Sequence, residues 1–152
     1  IDKDFDYILI DCPPSLSLLT VNAMTAADAV LITLQCEFYA LEGLADILSS
    51  TTILRESYNQ NLSLEGILLT MADRRLNLSR QVEEDIRGAY GDIVFQSVIP
   101  RNVRLSEAPS HGIPILLYDF QSKGSGNYLS LAQEVIENEK KSSRPWPFST
   151  PA

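Results

Sequence analysis

Short apolar runs alternate with longer stretches of helical period along most of this chain, and that alternation limits its fold more than any other feature. Phe5 to Ile10 reads F-D-Y-I-L-I and closes on Asp11. Ala29 to Leu34, Leu64 to Met71 and Ile93 to Ile99 are three further apolar runs. Nearly continuous apolar runs of this length suit strands covered on both faces. Between them, Leu16 to Ala27, Ala40 to Tyr58 and Leu78 to Tyr90 read as helices, and Gly126 to Lys141 as a last one. Leu41, Leu44, Ile47, Leu48, Ile53 and Leu54 fall at helical spacing in the longest of these. Cys12-Pro13-Pro14-Ser15 ends the first run, because proline donates nothing to a ladder, and Ser15 or Ser17 caps the next helix. Asn102 to Ser110 reads as a loop or short helix. Four strand–helix alternations predict an α/β fold: a doubly wound, mostly parallel sheet with helices on both faces. One domain over residues 1–141 and a flexible, proline-rich tail over 142–152 complete the expected organisation.

Composition excludes several classes. The chain is 45% apolar and 21% charged, ordinary values for a globular protein. No apolar run approaches the ~20 residues that span a bilayer. The net charge of −8 argues against bulk electrostatic binding of nucleic acid. The charge is uneven, however. Before Asp73 the only basic residues are Lys3 and Arg55, whereas Arg74, Arg75, Arg80, Arg87, Arg101 and Arg104 follow within one segment. The two cysteines, Cys12 and Cys36, are too few for a disulfide scaffold and lack zinc spacing. His111 lies in a loop and reads as structural. The chain opens on Ile1 rather than Met, directly before a strand-like run, which suggests a longer protein with about a hundred residues ahead of it.

In open parallel sheets, ligands bind beyond the carboxyl ends of the strands. Those ends carry Asp11-Cys12-Pro13-Pro14, Gln35-Cys36-Glu37, Thr70-Met71-Ala72-Asp73 and Pro100-Arg101-Asn102. An aspartate closing an apolar strand is placed where a magnesium or phosphate site wants a fixed negative charge. The alternative is an aspartate that caps the following helix.

Several blocks together resemble a known family. D-Y-I-L-I-D-C-P-P-S, Q-C-E-F-Y-A-L-E-G-L from Gln35, G-I-L-L-T-M-A-D-R-R-L-N-L from Gly66, and V-I-P-R-N-V-R-L-S-E-A-P-S-H-G from Val98 occur in family order. They are similar to the ParA/Soj partition ATPases, the deviant-Walker-A branch of the P-loop proteins. The resemblance implies a cytoplasmic, nucleoid-associated ATPase of chromosome or plasmid segregation. It implies ATP and Mg²⁺ as cofactors, a homodimer, nonspecific DNA binding, a ParB-type partner and no membrane. By position, Asp11 becomes the Walker B carboxylate, catalytic and reaching Mg²⁺ through water, with Cys12 to Ser15 as the switch loop. Pro13, Pro14, Thr70, Met71, Pro100, Arg101 and Asn102 fall on the nucleotide side. Arg74, Arg75, Arg80, Arg101, Arg104 and Lys123 are the DNA candidates, and Glu37, Tyr39 and Glu42 the dimer candidates.

One departure is severe: the family's K-G-G-x-G-K-[ST] loop does not occur in these residues. Gly124 to Asn127, G-S-G-N, has no Lys-Thr after it and reads as a helix-start turn. Phosphoryl transfer depends on positioning and on neutralising phosphate charge, so the chain alone is expected to be inactive in ATP hydrolysis. Loss of the family's neighbouring strand leaves Phe5 to Ile10 with an open apolar edge. Two rival readings remain: a non-catalytic dimerisation or interaction module, and a MinD-like cell-division ATPase. Glu134, Glu137 and Glu139 in the last helix and the prolines behind it do not suit the basic amphipathic membrane helix of the latter. An iron–sulfur reductase would need paired cysteines in glycine-rich loops.

Overall fold

The computed structural model describes residues 4–13, 17–140 and 146–148. Within them, α-helices and strands follow in the order α1 (Leu18–Ala26), β1 (Ala29–Gln35), α2 (Ala40–Tyr58), β2 (Ser63–Ala72), α3 (Asn77–Tyr90), β3 (Val94–Pro100), α4 (Val103–Glu107), α5 (Ile115–Tyr118) and α6 (Lys123–Lys140). The strands form one parallel sheet in the order β1-β2-β3. The alternating pattern of apolar strands and amphipathic helices thus produces the expected parallel α/β architecture.

Both sheet faces are covered. On one face Ile32, Leu34, Leu64, Ile67, Leu69, Val94 and Val98 pack with Leu44 and Leu48 of α2 and Val82 and Ile86 of α3. On the other, Leu68, Phe95 and Ile99 meet Leu31, Leu105, Leu131 and Val135. Ile67, Leu69, Leu44 and Ile86 are fully buried. Each such side chain contributes about 1.5–3 kcal/mol by leaving water.

The first expected strand is corrected. Phe5 to Ile10 is irregular and exposed, with Leu9 94% accessible. A strand exists only as part of a ladder, and no strand among the described residues pairs with this segment. The Tyr7 hydroxyl ties it to the rest of the fold by donating to Glu139 of α6. Among the described residues the sheet therefore has three strands where the alternation predicted four.

α6 blunts the β3 edge. The register between β2 and β3 slips between Ile67 and Leu69, and there the Glu134 carboxylate accepts from the backbone N–H groups of Gln96 (2.7 Å) and Ser97 (2.9 Å). The Asn127 amide donates to the Val98 carbonyl at 2.9 Å. Charge-assisted bonds of this kind are worth about 1.5–3 kcal/mol. Glu134→Ala is expected to lower unfolding free energy by ~2 kcal/mol, read from the urea midpoint, and Glu134→Gln by about half as much. An unchanged midpoint for the alanine variant would show that the carboxylate does not hold this edge.

Most of the expected tail lies outside the described residues. Trp146 and Phe148, which are described, pack against the α2–α3 face: Trp146 is buried with the core and Phe148 lies against it.

Candidate functional site

The carboxyl ends of the three strands meet at one end of the sheet. The Cys36 N–H donates to the Thr70 carbonyl at 3.2 Å, and the Arg101 N–H to the Ala72 carbonyl at 3.0 Å. These bonds carry the ladder one residue past β1 and β3 and fix what leaves them. A crevice of about 570 Å³ opens there, lined by Leu34 to Ala40, Met71, Asp73, Leu76, Leu78, Ser79 and Arg101.

Its walls follow from local chemistry. Met71 adopts φ 53°, a left-handed conformation that costs an L-residue about 1–2 kcal/mol, and it turns the end of β2. Strain of this kind concentrates at functional sites. Phe38 and Tyr39 are both about seven-tenths exposed and meet edge to face at 5.0 Å, leaving two aromatic rings in water at the mouth. Beneath them Cys36 is buried, and its thiol is pushed up by burial and by Glu83.

The polar groups are largely self-neutralising. The Arg101 guanidinium lies 3.7 Å from the Glu37 carboxylate, linking β3 to β1 across β2. Arg75 grips Asp73 with two bonds of 2.9 and 2.7 Å while its backbone N–H donates at 3.1 Å. The side-chain bond first, and then the backbone bond, hold the Asp73 carboxyl down at about 2 against an ordinary 3.8. A depressed folded pKa stabilises above the unfolded value, so this turn keeps its full contribution above 3.8 and loses it as pH falls through about 2. In Arg75→Ala the Asp73 midpoint, followed by carboxyl NMR, is expected to rise part of the way toward 3.8, because the backbone N–H of residue 75 still donates to the carboxylate. A midpoint still near 2 would mean that another group depresses it.

The crevice offers a flat apolar ring a seat among Phe38, Tyr39, Met71, Leu76 and Leu78. It offers a triphosphate no surplus positive charge, because its acids face its guanidinium groups. Asp11 sits on exposed, irregular chain with Cys12 and Pro13, not on the rigid strand end that a magnesium carboxylate requires. The residues present suit the base of a nucleotide and do not by themselves suit its metal and phosphates.

Of the residues expected on the nucleotide side, Met71 and Arg101 line the crevice. The Thr70 hydroxyl donates its proton to the Leu34 carbonyl at 3.2 Å. Pro100 ends β3 opposite Ala72. Asn102 caps α4, accepting from the Arg104 N–H at 2.8 Å. Pro14 and Ser15 lie outside the described residues. Among the dimer candidates, Glu37 and Tyr39 border the crevice, and Glu42 is exposed on the first turn of α2. Among the basic candidates, Arg75 and Arg104 are ion-paired, the latter with Glu107 at 3.0 Å and Asp119 at 3.3 Å. Arg80 bonds the neutral Asn77, and Arg74 and Lys123 are exposed. Phe38, Leu76, Leu78 and Ser79 complete the site without having been singled out in the sequence. Adjacent aromatics directly after a strand end were the available signal for Phe38. His111 stacks on Tyr118 at 4.9 Å, a structural role.

Known proteins carry the same pattern. A family model described as an AAA domain matches residues 1–64. The chromosome partitioning protein ParA of Caulobacter vibrioides is 58% identical over 136 residues, covering 90% of this chain and 51% of that protein. The sporulation initiation inhibitor protein Soj of Bacillus subtilis is 55% identical over 138 residues, covering 91% and 54%. The chain thus spans about half the length of the curated relatives it matches. Among solved structures, a cobyrinic acid a,c-diamide synthase from Mycobacterium smegmatis with bound ATP analog and magnesium superposes with TM-score 0.73 and 33% identity, over 97% of this chain and 53% of that one. The cell division ATPase MinD of Pyrococcus furiosus superposes with TM-score 0.68 and 27% identity, over 88% and 52%. The parallel sheet with helices on both faces is therefore that of P-loop NTPase structures, and the chain is a homologue of the ParA/Soj partitioning proteins over about half of their length.

Proposed function

We propose that this chain serves in a ParA/Soj-type partitioning ATPase that segregates a chromosome or plasmid. One observation carries the reading: Arg101 and Met71 converge on an apolar-walled crevice at the strand ends, in a chain more than half identical to partitioning proteins over nine-tenths of its length. Met71 and the Phe38–Tyr39 pair would seat the base, and Arg101, held by Glu37, would orient it. Asp11 would face Mg²⁺ once Phe5 to Ile10 is held within a sheet. The exposed aromatics and Glu42 suit a nucleotide-dependent homodimer, and Arg74, Arg80 and Lys123 suit nonspecific DNA. A ParB-type protein would stimulate the ATPase, which would work in the cytoplasm on the nucleoid. No helix among the described residues is long and apolar enough to cross a membrane.

The test uses the intact partitioning protein that contains this chain. Arg101→Ala is expected to weaken binding of a fluorescent ATP analogue with magnesium about tenfold, or ~1.4 kcal/mol. Unchanged affinity would exclude the base-side role. An intact protein that binds no ATP and shows no hydrolysis with DNA and partner would favour the interaction-module reading instead.

A further inference from the structure

Trp146 and Phe148 pack with the core cluster away from the crevice, which neither of them lines. Trp146 is 9% exposed, and its indole N–H donates to the Thr52 hydroxyl oxygen at 3.0 Å. Thr52 is itself buried on α2, and its own proton goes to the Leu48 carbonyl at 2.7 Å. The hydroxyl is thereby oriented with a lone pair toward the indole. Phe148 meets Trp146 edge to face at 5.7 Å and Tyr90, the last residue of α3, at 6.3 Å. Pro147 between them is exposed. Alternate side chains point in and out, as in an extended peptide laid on a surface. Val30 and Ile93, at the amino ends of β1 and β3, pack against the same core cluster as Phe148. α6 covers the opposite sheet face through Leu131 and Val135, so Trp146 and the helix that precedes it in the chain lie on different faces.

We propose that Trp146-Pro147-Phe148 is an intramolecular ligand, and that the notch between the ends of α2 and α3 is a docking site for an aromatic–proline–aromatic peptide, occupied by this chain's own residues 146–148. Three features make it a ligand rather than incidental packing. The buried polar group of the motif has a dedicated, pre-oriented acceptor. Its two rings form one continuous aromatic file with Tyr90. Pro147 between the rings restricts the segment in advance, which lowers the entropy lost on docking. The docked segment clasps α2 and α3 and leaves the crevice untouched.

Trp146 is the chain's one tryptophan, so its fluorescence reads the site directly. The wild-type chain is expected to emit at short wavelength and to resist acrylamide several-fold better than free tryptophan. Thr52→Val, equal in shape, is expected to raise quenching several-fold with an unchanged circular dichroism spectrum. The full chain carrying Trp146→Ala and Phe148→Ala has no tryptophan of its own. A synthetic peptide of residues 142–149 is expected to show a saturable blue shift when added to it, and the same peptide with alanine at 148 at least tenfold weaker binding. Water-like emission and unprotected quenching in the wild-type chain would overturn the proposal, as would the absence of any saturable shift up to millimolar peptide. Protection that appears only at concentrations where the chain dimerises would overturn docking within one chain. If the double variant does not fold, the wild-type and Thr52→Val quenching rates still decide.

Discussion

Gly66→Val is expected to leave this chain unfolded, and Gly66→Ala to cost about 3 kcal/mol, the upper range for overpacking a core. Gly66 is buried in β2, directly after the register slip by which Glu65 is left unopposed between Val30 and Leu31. Its φ is +156°, and a Cβ there would meet Phe95 Cε2 at 2.7 Å and the Ile93 carbonyl oxygen at 2.9 Å. The ring can be displaced at a cost, but the carbonyl belongs to the backbone leading into β3 and yields only if β3 moves. Phe95 is the large side chain of the second core cluster, so moving it also uncovers Leu68 and Ile99. A domain of this size has only about 5–15 kcal/mol in total, and valine adds two more carbons to the clash. Gly43 in α2 and Gly88 in α3 are the controls, since a Cβ at either meets nothing within 4 Å. Alanine at those helical positions is expected to stabilise by roughly 0.5–1 kcal/mol. Urea unfolding followed by circular dichroism distinguishes them. A Gly66→Ala midpoint equal to that of the parent would show that the strands separate more easily than their packing implies.

Elements whose own side chains determine them are legible in the sequence. α2 spans Ala40–Tyr58, the range its leucine spacing predicts, because Leu44 and Leu48 must face one core. β1, β2 and β3 lie within a residue or two of their apolar runs. Phe5 to Ile10 has an equally good strand pattern and is not a strand. The pattern records which side chains would be buried, whereas a ladder needs a neighbouring backbone, and no residue in the segment specifies one. α6 begins at Lys123 rather than Gly126 because the Ser122 hydroxyl accepts from the Ser125 N–H at 3.1 Å, a cap that is invisible to apolar periodicity. α5 is a single turn behind Pro114, too short to show a period.

The crevice was legible in part for the same reason. Met71 and Arg101 are strand-end residues, and the rule for parallel sheets points straight at strand ends. Leu76, Leu78 and Ser79 arrive from the turn into α3, whose path depends on Asp73 donating its N–H to Ser79 Oγ at 3.1 Å. Nothing local marks them as wall residues. Thr70 and Asn102 carry suitable side chains at suitable positions, yet the Thr70 proton and the Asn102 side-chain carbonyl are already bound to the backbone. Residue type alone does not reveal which donor or acceptor of a side chain is already engaged.

Ion pairing reshapes the expected DNA surface most. On the proposed DNA-binding role, replacing Arg74, Arg80 and Lys123 together with glutamine in the intact protein is expected to flatten the log affinity against log salt slope by about 3 per subunit, at ~0.9 for each phosphate no longer neutralised. The corresponding Arg75 and Arg104 double variant is expected to change the slope by less than about 1. Sequence treats these arginines alike. The fold does not: Arg75 must leave two bonds to Asp73 before it can reach a phosphate, and Arg104 must leave Glu107 and Asp119 and its position 6.0 Å from the Tyr118 ring. A phosphate has to compete with carboxylates that are already in place, and those carboxylates repel it. Arg80 gives up only a neutral amide. Affinity at one salt concentration would blur the distinction, since every substitution removes one positive charge from the long-range field. The slope counts the counterions released where side chains meet phosphates and separates touching residues from distant ones. Equal slopes for the two variants would mean that DNA breaks the Asp73 and Glu107 pairs on binding, and a slope unchanged by the triple variant would move the DNA surface away from α3 and α6 altogether.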